Sequence, residues 1–134
     1  MKILVVYYSL SGNTRLIANT IAVATNAAML AISSPNDHID INSYDLIFIG
    51  VPVWAFGPAR PMRNFLEKVR IAEKRIALFC SYTFMQGNVF SVMKQLLGKN
   101  DILGECLFRE PLRYKSKTQI KKAQEWARTI ICKR

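Results

Sequence analysis

The chain predicts an α/β fold, a parallel sheet with helices on both faces, and three observations carry that prediction. The strongest apolar segments, Ile3–Tyr8 and Asp45–Val51, are nearly unbroken β-branched and aliphatic runs without the polar alternation of a strand with a wet side. Between such runs, apolar residues recur three and four positions apart, which is helical spacing. Strand-like and helix-like segments alternate, and that order implies parallel strands joined by right-handed crossovers. With 134 residues, 51% of them apolar, the chain can sustain a core without disulfides or a metal, and we expect one domain over residues 1–134.

The elements follow in order. The first strand, Ile3–Tyr8, ends in Ser9-Leu10-Ser11-Gly12-Asn13-Thr14, and a helix from Thr14 to about Ala27 places Ile17, Ile21 and Ala24 on one face. Met29–Ile32 is a short second strand. Ser34–Ser43, which holds His38, Asp37 and Asp40, has no regular period. The third strand, Asp45–Val51, is expected to stop at Pro52, which cannot donate to a ladder. Pro58 and Pro61 suit the opening turn of a helix carrying Met62, Phe65, Leu66 and Val69 as far as Arg70. Arg75–Cys80 is a fourth strand, and Val89, Phe90, Met93, Leu96 and Leu97 form a helical stripe closed by Gly98. Ile102–Phe108 is a fifth strand. The last helix, Thr118–Cys132, is expected to bury Ile120, Ala123, Ala127 and Ile130 or Ile131.

Composition excludes several classes. No apolar run approaches the roughly 18 residues of a membrane span, and the first run stops at Ser9, too early for a signal-peptide core; this predicts a cytoplasmic protein. Cys80, Cys106 and Cys132 lack C-x-x-C spacing and have one histidine for company, so neither structural zinc nor a disulfide framework is expected. The net charge is +10, and Arg109–Arg134 alone holds nine basic residues against Glu110 and Glu125. Such a field attracts anionic partners without specifying one, and a solvated basic helix is the plain alternative.

In parallel α/β sheets ligands bind beyond the carboxyl ends of the strands. Three loops lie there. Ser9, Leu10, Ser11, Gly12, Asn13 and Thr14 supply hydroxyls, an amide and backbone N–H groups at a helix N-terminus, with a glycine that lets the chain curl around a phosphate. The same residues also read as an ordinary helix cap. The loop lacks the glycine-lysine pattern of a triphosphate site and the glycine triplet of a dinucleotide site. The second loop, Pro52, Val53, Trp54, Ala55, Phe56 and Gly57, offers two aromatics for a planar ligand, unless one ring folds onto the helix. The third offers Ser81, Tyr82, Thr83 and Gly87 together with Phe84. A phosphate grip beside aromatic walls fits a phosphorylated planar cofactor, and flavin mononucleotide (FMN) matches that description.

Two stretches, V-V-Y-Y-S-L-S-G-N-T-R and Y-D-L-I-F-I-G-V-P-V-W-A-F-G-P-A, resemble the flavodoxin-like family of FMN proteins, in its short-chain form. The ending A-L-F-C-S-Y before a glycine and a helix adds support. The resemblance implies a three-layer sandwich with a five-stranded parallel sheet of order 2-1-3-4-5. It implies that Ser9–Thr14 hold the FMN phosphate and that Pro52–Gly57, Ser81, Tyr82, Thr83 and Gly87 hold the isoalloxazine. Family carriers are usually acidic; the basic surplus here predicts a less reducing flavin. Gly57 is the expected site of a peptide turn that changes its hydrogen bond to flavin N5 on reduction.

Three functions follow from this reading. The leading one is an electron-transfer protein, without catalytic side chains or a metal, shuttling electrons between redox protein partners that are acidic, such as a ferredoxin-like protein or a reductase. The second is an FMN-dependent NAD(P)H:quinone-type reductase, for which His38 lies away from the expected site. The third is a flavin-free basic interaction module; nucleic acid is the less expected partner, because such a module has no use for the complete first and second loops. Cys80, at a strand end near the expected flavin edge, reads as a packing residue, Cys106 as core and Cys132 as surface.

Overall fold

A computed structural model of the chain describes residues 1–32, 40–54 and 57–133. Expectations for Ala55, Phe56 and His38 fall outside the described residues. Among the described residues six strands and four α-helices follow in the order β1 (Ile3–Tyr7), α1 (Asn13–Thr25), β2 (Ala28–Ala31), β3 (Leu46–Trp54), β4 (Gly57–Pro58), α2 (Arg60–Lys68), β5 (Arg75–Tyr82), α3 (Val89–Leu97), β6 (Asp101–Arg109) and α4 (Ser116–Ile131). The main sheet runs β2-β1-β3-β5-β6, all parallel, and β4 folds back antiparallel on the end of β3. Leaving out the two-residue β4, this is the expected order 2-1-3-4-5.

Period-two alternation divides each central strand between two cores. Leu4, Val6, Ile47, Ile49, Ile76 and Leu78 face α2 and α3, where they meet Met62, Leu66, Val89 and Met93. Val5, Phe48, Ala77, Phe79 and Phe108 face α1 and α4, where they meet Ile17, Ile21, Ala123 and Ala127. Both faces of the sheet are therefore dry. Trp126 joins the second core, edge-on to Phe48 at 5.6 Å and to Phe79 at 6.3 Å between ring centroids. Gly98 closes α3 with φ +69° and its N–H on the Lys94 carbonyl at 3.1 Å.

Four expectations are corrected. β3 does not stop at Pro52 but continues to Trp54. Gly50 and Pro52 point their backbone groups to the same side, and on that side Tyr8 N–H on the Gly50 carbonyl is the last bond from β1. The missing proline donor therefore falls beyond the last bond from β1, on the side where the chain folds back after β4, and the Pro52 carbonyl on that side accepts from Ala59 N–H at 3.1 Å. Pro58 belongs to β4 and not to the helix, which begins at Arg60 with Pro61 in its first turn and ends at Lys68. Within the stretch expected to be irregular, Ile41–Ser43 form one 3₁₀ turn, capped by the Asp40 carboxylate on Asn42 N–H at 3.1 Å. In α4 the buried position is Gln119, while Ile120 is only half-buried. Gln119 Oε1 accepts from Arg109 N–H at 2.8 Å and its Nε2 donates to the Arg109 carbonyl at 2.7 Å and to the Tyr114 carbonyl, closing the edge of β6.

Candidate functional site

The carboxyl ends of β1, β3 and β5 bring the three expected loops to one end of the sheet. In the first loop Gly12 has φ +96°, a left-handed conformation that turns the chain into α1. Ser9 Oγ accepts from Gly12 N–H at 3.2 Å and Arg15 N–H at 3.1 Å, and Asn13 Nδ2 donates to Ser11 Oγ at 3.0 Å. The N–H groups of Leu10, Ser11, Asn13 and Thr14 have no acceptor among the described residues. Leu10 and Ser11 are exposed, and Asn13 is half-buried. A cluster of free donors at a helix N-terminus is what an oxyanion requires.

Thr14 is placed differently from expectation. Its hydroxyl is buried and lies 2.7 Å from Ser81 Oγ, also buried, so these two side chains join the first loop to the third instead of facing open space. Their backbones remain at the site. Tyr82 is half-buried with its carbonyl held by Glu110 N–H at 2.9 Å, while Thr83 and Gly87 are exposed, Gly87 at φ +57°.

The second loop is a hairpin. Val53 pairs with Pro58 and Trp54 with Gly57, which presents the Trp54 indole at 37% exposure with its ring edge-on to Tyr8 at 5.6 Å. Pro52 and Val53 are half-buried beneath it. Gly57 itself is buried in β4 and is not among the left-handed glycines. A Cβ at Gly57 would lie 2.5 Å from Arg63 Nη2, and Arg63 Nε donates to the Pro58 carbonyl at 3.1 Å. Glycine there makes room for a guanidinium beside the Trp54 hairpin. A cavity of about 350 Å³ opens between Trp54, Pro58, Arg60 and Arg63.

Sequence reasoning missed two neighbours of this site. Leu112 N–H donates to Asn13 Oδ1 at 2.9 Å, which brings the β6–α4 loop against the first loop. The apolar Pro111-Leu112 pair inside a charged segment was the available signal. Arg63 was missed because helical spacing places it between core positions and gives no hint of the hairpin it supports.

Cys80 is fully buried, and burial, with Cys106 and Glu105 nearby, pushes its thiol up to about 12 against the weaker pull of Lys122. Burial also raises Cys106. Both stay protonated near neutrality, which agrees with packing roles. A disulfide reagent at pH 8 is expected to label one thiol quickly, the exposed Cys132, and all three only after unfolding. Rapid labelling of Cys80 in the folded protein would contradict this placement. Among the described residues no group of His, Cys, Asp and Glu side chains is arranged to hold a metal, and no helix is long and apolar enough to cross a membrane.

Known proteins share this fold. The fold matches a flavoprotein from Lactobacillus acidophilus whose crystal structure is a complex with FMN, at 22% identity and TM-score 0.69, over 87% of this chain and 98% of that one. It matches the two-electron reduced flavodoxin of Megasphaera elsdenii at 22% identity and TM-score 0.69, over 93% and 97% of the two chains. An oxidised flavodoxin from Bacillus cereus matches at 18% identity and TM-score 0.74, over 98% and 97%. At these identities the likeness is one of fold. The sequence itself carries the stronger statement: residues 4–125, which span all three loops and every strand of the parallel sheet, match the flavodoxin domain model, and the chain belongs to that family.

Proposed function

We propose that this chain binds FMN and carries electrons between redox proteins. One observation carries the reading: a loop curled by left-handed Gly12 leaves four main-chain N–H groups at the start of α1 without an acceptor among the described residues. A phosphate monoester, with up to about two negative charges and three acceptor oxygens, suits that donor set. Ser9 and Ser11 add hydroxyls, and Asn13, tied to Leu112, fixes the loop against the β6–α4 segment. The open indole of Trp54 and the exposed backbone of Thr83–Gly87 flank a place for a flat heterocycle. The relative crystallised with FMN supports the same choice of cofactor.

Bound FMN supplies one- and two-electron chemistry, and the protein's part is to hold, orient and tune it. Tyr8 braces Trp54 from below, β4 and Arg63 hold the hairpin, and the Thr14–Ser81 pair locks the first and third loops together. The test is to load the protein with FMN, confirm the visible flavin spectrum, and supply NADPH with and without a quinone. A carrier leaves NADPH essentially unconsumed and accepts electrons only through another redox protein. Steady NADPH oxidation with a quinone would replace this reading with the reductase.

A further inference from the structure

The end of the molecule that holds the three loops is also where its apolar exposure is concentrated and its net positive charge is highest, since the bases of the opposite end (Lys2, Lys68, Arg70, Lys74, Arg75, Lys99, Arg128 and Lys133) are partly offset by acids. Among the described residues, Leu10, Trp54, Phe84, Met85, Leu112 and Tyr114 are exposed large apolar side chains in loops or strand ends at this end, and only Met1 and Val23 lie elsewhere. Phe84 is 88% exposed. Around them stand Arg15, Arg60, Arg63, Arg109, Arg113 and Lys115, with Glu110 the single acid described in these loops. Asp40, Asp45, Glu73 and Asp101 precede strands or begin them, and Glu67 ends α2, so all five sit at the opposite end of the sheet.

The helix termini sharpen the point. Every helix of a parallel α/β fold starts at the carboxyl ends of the strands, and each N-terminus brings partial positive charge that ordinarily attracts acids into the first turn. None of the four α-helices has an acid there. Arg15, Arg60 and Lys117 occupy first turns instead, against the preference of the helix dipole. A phosphate at the first loop would neutralise about two charges at most, fewer than this end carries. An arrangement that works against helix stability and exceeds what a cofactor needs calls for another anionic ligand.

We infer that this end is the docking face for an acidic redox protein, with Trp54, Phe84, Met85 and Leu112 as the apolar centre and the arginines and Lys115 as its rim. The inference rests on the electron-carrier reading and names the partner's chemistry and the surface that meets it. An apolar centre with a charged rim is the anatomy of a protein–protein interface. Nucleic-acid interfaces are more polar and more uniformly basic. The centre includes the loop beside the proposed flavin site, so a partner seated here brings its own redox group close to the electrons it exchanges.

The test measures electron transfer from a reduced acidic [2Fe–2S] ferredoxin to the FMN-loaded protein by stopped flow, one electron leaving the cluster for the flavin. Raising NaCl from 50 to 300 mM is expected to slow the reaction about tenfold or more. The pair Arg60→Glu with Arg113→Glu is expected to slow it at least tenfold at low salt. The pair Lys68→Glu with Lys99→Glu, which changes net charge equally at the opposite end, is expected to leave the rate within twofold. Both pairs alter exposed positions. A flavin spectrum recorded first for each protein keeps the two readings apart, since absence of bound flavin overturns the cofactor itself. Equal slowing by both pairs, or slowing by neither, with the flavin in place, overturns the docking face. Salt-sensitive binding of a 20-base-pair DNA duplex that the Arg60 and Arg113 pair abolishes, with electron transfer unaffected, would assign the face to nucleic acid.

Discussion

Replacing Gly50 with alanine is expected to destabilise the fold by about 3 kcal/mol, the upper end of the usual range for overpacking a core. Gly50 lies directly opposite Phe79 in the β3–β5 pairing, and the Phe79 ring covers the glycine so closely that an alanine Cβ would fall inside it. The ring has nowhere to go. Phe79 is fully buried, with Trp126 edge-on at 6.3 Å, and Phe48 in contact with the same indole. Any shift therefore passes into α4 and from there to the Gln119 bonds that close β6. Urea unfolding with an unchanged m-value would read the loss as a lower midpoint. Adding Phe79→Leu to Gly50→Ala should recover part of it, since the leucine vacates the space that the methyl needs. A loss below about 1 kcal/mol for the single substitution would mean that the ring moves freely and that the two-sided core is looser than described.

Replacing Gly12 with valine is expected to weaken FMN binding by about 30-fold or more, because holding a β-branched residue at φ +96° costs about 2 kcal/mol. The added Cβ would also come within 3.2 Å of Leu112 Cδ1, the residue whose N–H anchors Asn13. Both effects fall on the turn that exposes the free N–H groups. Riboflavin, which has the ring without the phosphate, is expected to bind the variant as it binds the parent protein. Equal losses for FMN and riboflavin would show that the substitution disturbed the ring site or the fold and that Gly12 has no particular tie to the phosphate.

What the sequence revealed and what it hid follow from the range over which each contact acts. β1 and β3 were legible because both of their faces are buried, leaving apolar runs with no wet side, and their loops were legible because glycine, hydroxyl and aromatic residues are uncommon together at a strand end. Pro52 misled because its effect on a strand depends on which side its missing N–H faces, and that depends on where β1 stops. Gln119 was invisible to any count of apolar periodicity, since a polar residue earns burial only through acceptors and donors on β6. The Thr14–Ser81 pair joins residues 67 positions apart, and nothing local to either residue announces the other. At Gly57 an added Cβ would press on the Arg63 guanidinium, a neighbour that no pattern local to the glycine announces.

The central claim is that the first loop is built for the phosphate of FMN, and titration of the flavin-free protein with FMN and, separately, with riboflavin tests it most directly. Following the quenching of flavin fluorescence, we expect FMN to bind one to one with Kd below about 1 μM, and riboflavin at least about 100-fold more weakly, since several charge-assisted hydrogen bonds are lost with the phosphate. FMN that fails to bind at concentrations near 100 μM, or riboflavin that binds equally well, would contradict it.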